Sequence, residues 1–307
     1  MDKIIDMHAH LGDILYPGGG NLIFRKGIKK KAIIDIVSIS EFFDHRFADD
    51  AGPDYFGSFL HRLELKSSMA RNAIGSEENF IQSMDEAGIV QSVSLPVPPN
   101  VNFADINEVA ERNPRVIPFT GFDFSMGGNA EKILRNDVAQ GARGLKLHPV
   151  LQREKTTSKK TFEVVEAFAQ YDFPILLHTG ICYYYNSSED KTTREIPEYG
   201  NCEDFIKLVK SFPKVKFIAG HACIWEWPRL KEILAKLKNI YVDITFRGPR
   251  KVKELIDVMG PDRVLFASDW PWGNRKPAVR ILEKACKFEK SIMKRVFYEN
   301  AEELLKL

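Results

Sequence analysis

Short runs of Ile, Val, Leu and Phe alternate along the chain with longer stretches in which apolar residues recur every three or four positions, the pattern of strands alternating with amphipathic helices. Eight runs read as strands: Ile4–His8, Ile89–Leu95, Val116–Phe122, Gly144–His148, Phe173–His178, Val215–Ala219, Ile240–Ile244 and Val264–Ser268. Between and after them the spacing predicts helices over Glu77–Ala87, Phe103–Arg112, Ala130–Val138, Lys160–Gln170, Glu203–Ser211, Glu226–Leu237, Lys251–Met259 and Pro277–Lys287. Ser76 and Asn129 stand where a side chain caps a helix start, and Pro277 where a first-turn proline is tolerated. Strand–helix units favour a parallel sheet. Eight of them predict an α/β protein with a (β/α)8 TIM barrel, ahead of a doubly wound open sheet that alternates in the same way.

One connection does not fit a simple turn. Residues 12–75, after the first strand, form an insertion containing Pro17, a triple glycine at 18–20 and Lys29, Lys30 and Lys31. Its apolar segment Ala32–Ile39 and the stretches SEFFDHRF and SFLHRLELKS read as helices or a short strand, giving ordered cover over the barrel mouth. No sequence repeat or Pro/Ser-rich linker divides the rest, so residues 1–307 read as a single domain.

Composition excludes more than it selects. With 44% hydrophobic and 28% charged residues a sizeable core can form, and a net charge of +2 without long runs of one sign makes nucleic acid a poor partner. No stretch approaches the roughly 18 apolar residues of a membrane span, and the opening MDKII lacks a signal-peptide apolar core, so a cytoplasmic location is expected. Cys182, Cys202, Cys223 and Cys286 have neither zinc-knuckle nor disulfide-framework spacing. The expected partner is a small-molecule substrate, with a homodimer left open.

The chemistry lies in the histidines. Of seven, at 8, 10, 45, 61, 148, 178 and 221, five stand at or just beyond the end of a predicted strand. In a barrel those ends converge on one face, where residues distant in sequence become neighbours. His8 and His10 are two apart, so both can reach one ion. His178, His221 and Asp269 each close an apolar strand, and a carboxylate so placed needs a positive partner.

DMHAH at 6–10, GLKLHP at 144–149, His178, His221, FASDWP at 266–271 and the closing YENAEELL at 298–305 together resemble the amidohydrolase superfamily, in particular the branch related to aminocarboxymuconate semialdehyde decarboxylase. The resemblance implies a divalent metal, zinc before others, held by His8, His10, His178 and Asp269, with His221 near the reacting group. Three neutral imidazoles and one carboxylate also suit Zn²⁺ on chemical grounds and leave a position for water. Asp6 is left to orient a ligand or cap its strand. Lys146 stands where binuclear members carry a carboxylated lysine bridging a second ion, but the LKLHP setting resembles the one-metal branch.

Lys146, His148, Arg247 and Trp270 are the expected substrate contacts. Trp272, Phe246 and Tyr183–Tyr185 stand near the same mouth. Arg247 hints at a carboxylated substrate, since guanidinium groups fork onto carboxylates. The expected activity is metal-dependent hydrolysis of a C–O or C–N bond, an ester, lactone or amide, with Asp269 and His221 as catalytic residues. The alternative is non-oxidative decarboxylation of an unsaturated or aromatic acid. A purely structural metal fits less well, because structural zinc sites are closed and usually rich in thiolates.

Overall fold

The computed structural model describes residues 3–31, 34–45, 52–55 and 57–307. Each predicted apolar run holds a strand: β1 (Ile5–Ala9), β2 (Gln91–Ser94), β3 (Val116–Pro118) with β4 (Thr120–Gly121), β5 (Leu145–Leu147), β6 (Ile175–His178), β7 (Phe217–Gly220), β8 (Ile240–Asp243) and β9 (Val264–Leu265). All pair in parallel, in the orders β1-β2-β3 and β4-β5-β6-β7-β8-β9.

β3 and β4 are two halves of one run. Across their junction Phe119 N donates to Ser94 O on one side and Thr120 N to Gly144 O on the other. At the opposite seam Met7 N donates to Phe266 O, Asp269 N to His8 O and His10 N to Trp270 O, so the first and last strands also meet. Pairing around both seams makes the sheet a barrel with helices outside.

The barrel interior is filled by Ile5, Met7, Val93, Leu95, Ile117, Phe119, Leu176, Ile218 and Leu265, and the C-terminal helix Asn300–Leu305 adds Ala301, Leu304 and Leu305 to that cluster. A larger apolar layer lies between strands and helices. The helices begin where expected: Ser76 accepts Asn79 N–H at the start of Glu77–Ala87, and Asn129 accepts Lys132 N–H at the start of Ala130–Ala139. The last predicted helix starts two residues early, at Arg275, with Pro277 inside its first turn. No helix among the described residues is long and apolar enough to cross a membrane.

The segment after β1 leaves and returns at a neck where Gly12 N donates to Gly75 O. It contains the helices Ile36–Phe42 and Phe59–Asn72. Parts of the predicted Ala32–Ile39 and SEFFDHRF elements lie outside the described residues.

Candidate metal centre

Strand phase decides which side chains reach the mouth. In β5, Leu145 and Leu147 belong to the outer apolar layer, so Lys146 and His148 turn inward; in β6, Leu177 lies outside while Leu176 and His178 face in. β1 breaks this alternation. Ile5 and Met7 fill the barrel while Asp6 pairs with Arg275 outside, which would send His8 outward as well. The register against β2 slips between Asp6 and Ala9, Ala9 joins the outer layer, and His8 and His10 turn into the mouth. A bulge at a barrel rim re-aims side chains in this way. At Gly220 in β7, a Cβ would sit 2.8 Å from Leu177 O and 3.2 Å from His8 Cε1, so a bare backbone makes room for that imidazole.

His8 Nε2 lies 3.4 Å and His10 Nε2 3.3 Å from Asp269 Oδ1, and these three donor atoms lie within 4.8 Å of one another. Their hydrogen bonds fix which nitrogens carry lone pairs. Leu95 O can only accept, so His10 Nδ1–H donates to it at 2.8 Å; the Asp243 carboxylate takes His8 Nδ1–H at 2.8 Å. Both Nε2 atoms are therefore bare and face the Asp269 oxygen. Asp243 also accepts from Thr245 Oγ1 at 2.6 Å, which leaves the Thr245 oxygen to accept His221 Nδ1–H at 2.6 Å and bares His221 Nε2. One carboxylate, absent from the sequence reading, thus sets the tautomer of two mouth histidines, as outer partners of metal ligands do.

Burial, reinforced by Lys146, lowers His10 and His178 to about 3 and pushes His8 well down; burial with His178 does the same for His148 and His221. All five imidazoles are neutral near pH 7, the form a metal requires. Burial also lowers Lys146 to about 8, against the pull of Asp269 and Asp243, and its Nζ stands 3.4 Å from His8 Nε2. The donor set thus fits a divalent cation: neutral nitrogen lone pairs beside a carboxylate.

His178 and His148 form a second chain of contacts. Their rings stack at 4.4 Å. His148 Nδ1 accepts Leu151 N–H, capping the short helix Pro149–Gln152; Nε2–H donates to Tyr184 Oη at 3.0 Å, and Tyr184 in turn donates to His178 Nδ1 at 3.3 Å. His178 Nε2 faces Gly180 O at 3.0 Å and Cys182 Sγ at 3.1 Å. Its ring therefore lies beside His221, with centroids 4.8 Å apart, while its nitrogens turn toward Tyr184 and Gly180 rather than toward Asp269.

Two expected substrate contacts sit elsewhere. Arg247 is buried, and its Nη2 donates to three carbonyls, His221 O, Ala222 O and Ile224 O, at 3.0, 3.0 and 2.6 Å. Residues 221–224 all have positive φ, a sparsely populated conformation for side-chain-bearing residues, and Arg247 binds the carbonyls of that strained loop. Trp270 packs edge-on against Phe80 and under Arg275. Asp269, at φ 57°, turns the chain so that Trp272 lines the mouth instead. There Tyr183, Tyr184, Ile224, Phe246 and Trp272 meet Val37, His61 and Leu65 of residues 12–75 around a cavity of about 110 Å³.

Glu195 fixes the loop that carries Tyr184. Its Oε2 accepts Tyr184 N–H at 2.7 Å, while Oε1 is buried without a partner among the described residues. Burial raises its pKa from 4.5 to about 7, so across that window the folded protein holds a proton that the unfolded chain has released, and stability falls as pH rises. Glu195→Gln, which keeps an acceptor for Tyr184 N–H, is expected to flatten this slope and to raise the melting temperature at about pH 8. Melting curves across the pH range check it; a slope as steep as in the parent protein would refute the assignment.

A family model described as Amidohydrolase matches residues 5–307. No curated protein matches the chain. Among solved structures, 5-carboxyvanillate decarboxylase LigW from Sphingomonas paucimobilis is similar over 100% of both chains at 14% identity and a TM-score of 0.67. A probable 2-pyrone-4,6-dicarboxylic acid hydrolase from Acinetobacter baumannii is similar over 100% of both chains at 13% identity and a TM-score of 0.59. A second 5-carboxyvanillate decarboxylase, LigW2 from Novosphingobium aromaticivorans, with bound manganese, covers 99% of this chain and 97% of its own at 16% identity and a TM-score of 0.64. At these identities the likeness is one of fold.

Proposed function

Because the chain belongs to the amidohydrolase family, we propose that it is a metal-dependent hydrolase cleaving a C–O or C–N bond, in an ester, lactone or amide, of a small molecule. The observation that carries this reading is the convergence of His8 Nε2, His10 Nε2 and Asp269 Oδ1, with both imidazoles neutral and held by their other nitrogens. These three would hold one divalent ion, zinc by the character of the donors, while His178, expected as a fourth ligand, keeps Nδ1 on Tyr184 and Nε2 on Gly180 O. Such an ion polarises a carbonyl and lowers the pKa of water to about 7.

The side chains supply the rest. Asp269 takes the proton of the attacking water and returns it to the leaving group. His221, with Nδ1–H donated to Thr245, offers a lone pair at Nε2 and so fits proton transfer better than donation to an oxyanion. Lys146 supplies positive charge for a substrate carboxylate or a developing oxyanion, and Tyr184, held by His148, lines the adjoining wall. Residues 12–75 screen the site from bulk water.

The second reading is non-oxidative decarboxylation, favoured by the aromatic walls of Tyr183, Tyr184, Phe246 and Trp272. That reaction calls for a cationic clamp on the departing carboxylate. Arg247, the expected clamp, is committed to the 221–224 carbonyls, so a departing carboxylate would have Lys146 alone among the described residues, and hydrolysis leads on that count.

Lactones, esters, amides and aromatic acids incubated with the protein in oxygen-18-labelled water separate the two. Label entering a new carboxylate supports hydrolysis; released CO₂ without label in the organic product overturns it in favour of decarboxylation. In either case chelation is expected to abolish turnover and added divalent metal to restore it. Undiminished turnover by metal-free protein would remove the common premise.

A further inference from the structure

The loop that carries Asp269 is gripped from outside the barrel by residues 12–75. Three buried charged side chains of that segment, Asp35, Glu41 and Arg71, form one cluster. Arg71 Nε donates to Asp35 Oδ1 and Oδ2 at 3.2 and 3.0 Å, its Nη2 donates to Ser38 Oγ at 2.7 Å, and Glu41 Oε2 stands 3.6 Å from that Nη2. Arg280 Nη2 donates to Glu41 O at 2.6 Å, and the side chains of the cluster reach two residues of the loop after β9. Arg71 Nη1 donates to Trp272 O at 3.0 Å, and Asn274 N donates to Glu41 Oε1 at 3.0 Å, with Asn274 Nδ2 on the other Glu41 oxygen and 3.2 Å from Ser38 Oγ.

The loop has little freedom to absorb a loss of that grip. Gly273 N donates to Asp269 O at 3.0 Å, closing a turn in which a Cβ on Gly273 would lie 2.2 Å from Ser268 O. Asp269 itself sits at φ 57° with its amide on His8 O at 2.7 Å. A shift of Trp272 O or Asn274 N is therefore passed through a tight turn to the Asp269 carboxylate. A fully buried glutamate and arginine also cost free energy to desolvate unless each is well paired, so the arrangement is expensive for mere surface cover.

We propose that Glu41 and Arg71 are positioning residues for the metal ligand Asp269: the segment over the barrel mouth holds the β9 loop in ligating geometry as well as covering the cavity. This inference rests on the reading of Asp269 as a ligand.

Cobalt(II) titration tests it by two readouts other than turnover, the affinity from chelator competition and the visible absorption of the cobalt protein. Glu41→Gln and Arg71→Lys are expected to weaken cobalt binding about tenfold and to alter the absorption band, as loss of an outer partner of a metal ligand does. Asp44→Asn is the control. Asp44 ties the same segment to Arg280 and Lys284 but does not touch residues 272–274, so both readouts should stay within about twofold of the parent protein. Should either buried variant fail to fold, Asn274→Ala, altered on the loop side of the same contact, carries the same expectation. Unchanged affinity and spectrum in the Glu41, Arg71 and Asn274 variants would overturn the proposal, as would an equal loss in Asp44→Asn. Asp269→Asn separates the two levels: lost affinity there with tight binding in Glu41→Gln overturns the positioning role alone, while tight binding in Asp269→Asn overturns the ligand reading and the positioning role with it.

Discussion

Asp269→Asn is expected to lower kcat/KM by at least about a thousandfold while leaving the fold intact. The substitution exchanges one carboxylate oxygen for an amide nitrogen of almost the same shape, so packing changes little. Its chemistry changes twice over. An amide is a poor proton acceptor at neutral pH, and loss of a positioned base alone is worth roughly 10² to 10⁴ in rate. The anionic charge facing His8 Nε2 and His10 Nε2 also disappears, and with it the negative ligand that two neutral imidazoles require to hold a dication. Turnover and metal content should fall together, and adding metal at high concentration should restore occupancy without restoring turnover, since the base is still missing. Steady-state kinetics with and without added metal, alongside thermal melting, make the measurement. A variant that melts earlier yet turns over as fast as the parent would mean that Asp269 only braces the mouth.

The sequence was most legible where local pattern is sufficient. Apolar runs marked every strand, and Ser76 and Asn129 marked helix starts, because those features depend on residues adjacent in the chain. His8, His10 and Asp269 could be brought together on paper because a parallel barrel gathers strand ends whatever its details. The illegible features depend on register and turn geometry. The slip between Asp6 and Ala9 exists only against β2, so the alternation that fails there cannot be read from β1 alone. Asp243 lies in IYVDIT, where a lone acid after an apolar run looks like any strand-end residue; its importance comes from reaching His8 directly and His221 through Thr245. Arg247 and Trp270 were assigned to substrate by position, but positive φ at 221–224 supplies carbonyls that occupy the first, and positive φ at Asp269 rotates the second outward. Residues that adopt such backbone angles carry no plain mark in sequence, so the error falls at the strained mouth rather than in the barrel wall.

The second large effect concerns the seam behind that mouth. Arg275→Met is expected to destabilise the fold by about 3–5 kcal/mol, a large fraction of the roughly 5–15 kcal/mol that holds a typical domain folded. Arg275 and Asp6 are both almost wholly buried and pair at 3.0 Å. Asp6 also accepts Ser268 N–H at 3.0 Å and Ser268 Oγ–H at 2.6 Å, tying β1 to the chain beyond β9, while Arg275 donates to Phe80 O, Ser83 Oγ and Ser92 Oγ and lies 4.2 Å over the Phe80 ring. Removing the guanidinium leaves a carboxylate without its cation and a buried carbonyl without its donor in a place water does not reach. The penalty is therefore that of an uncompensated buried charge, and it should shrink when the charge is removed as well. Asp6→Asn combined with Arg275→Met should cost clearly less than the sum of the two single changes, a coupling of about 1–3 kcal/mol within direct-contact range. Denaturant titration of the four proteins closes the cycle. Additive losses would mean that the two groups act separately, Arg275 through its stacking on Phe80 and Asp6 through Ser268, and that the ion pair does not itself seal the barrel.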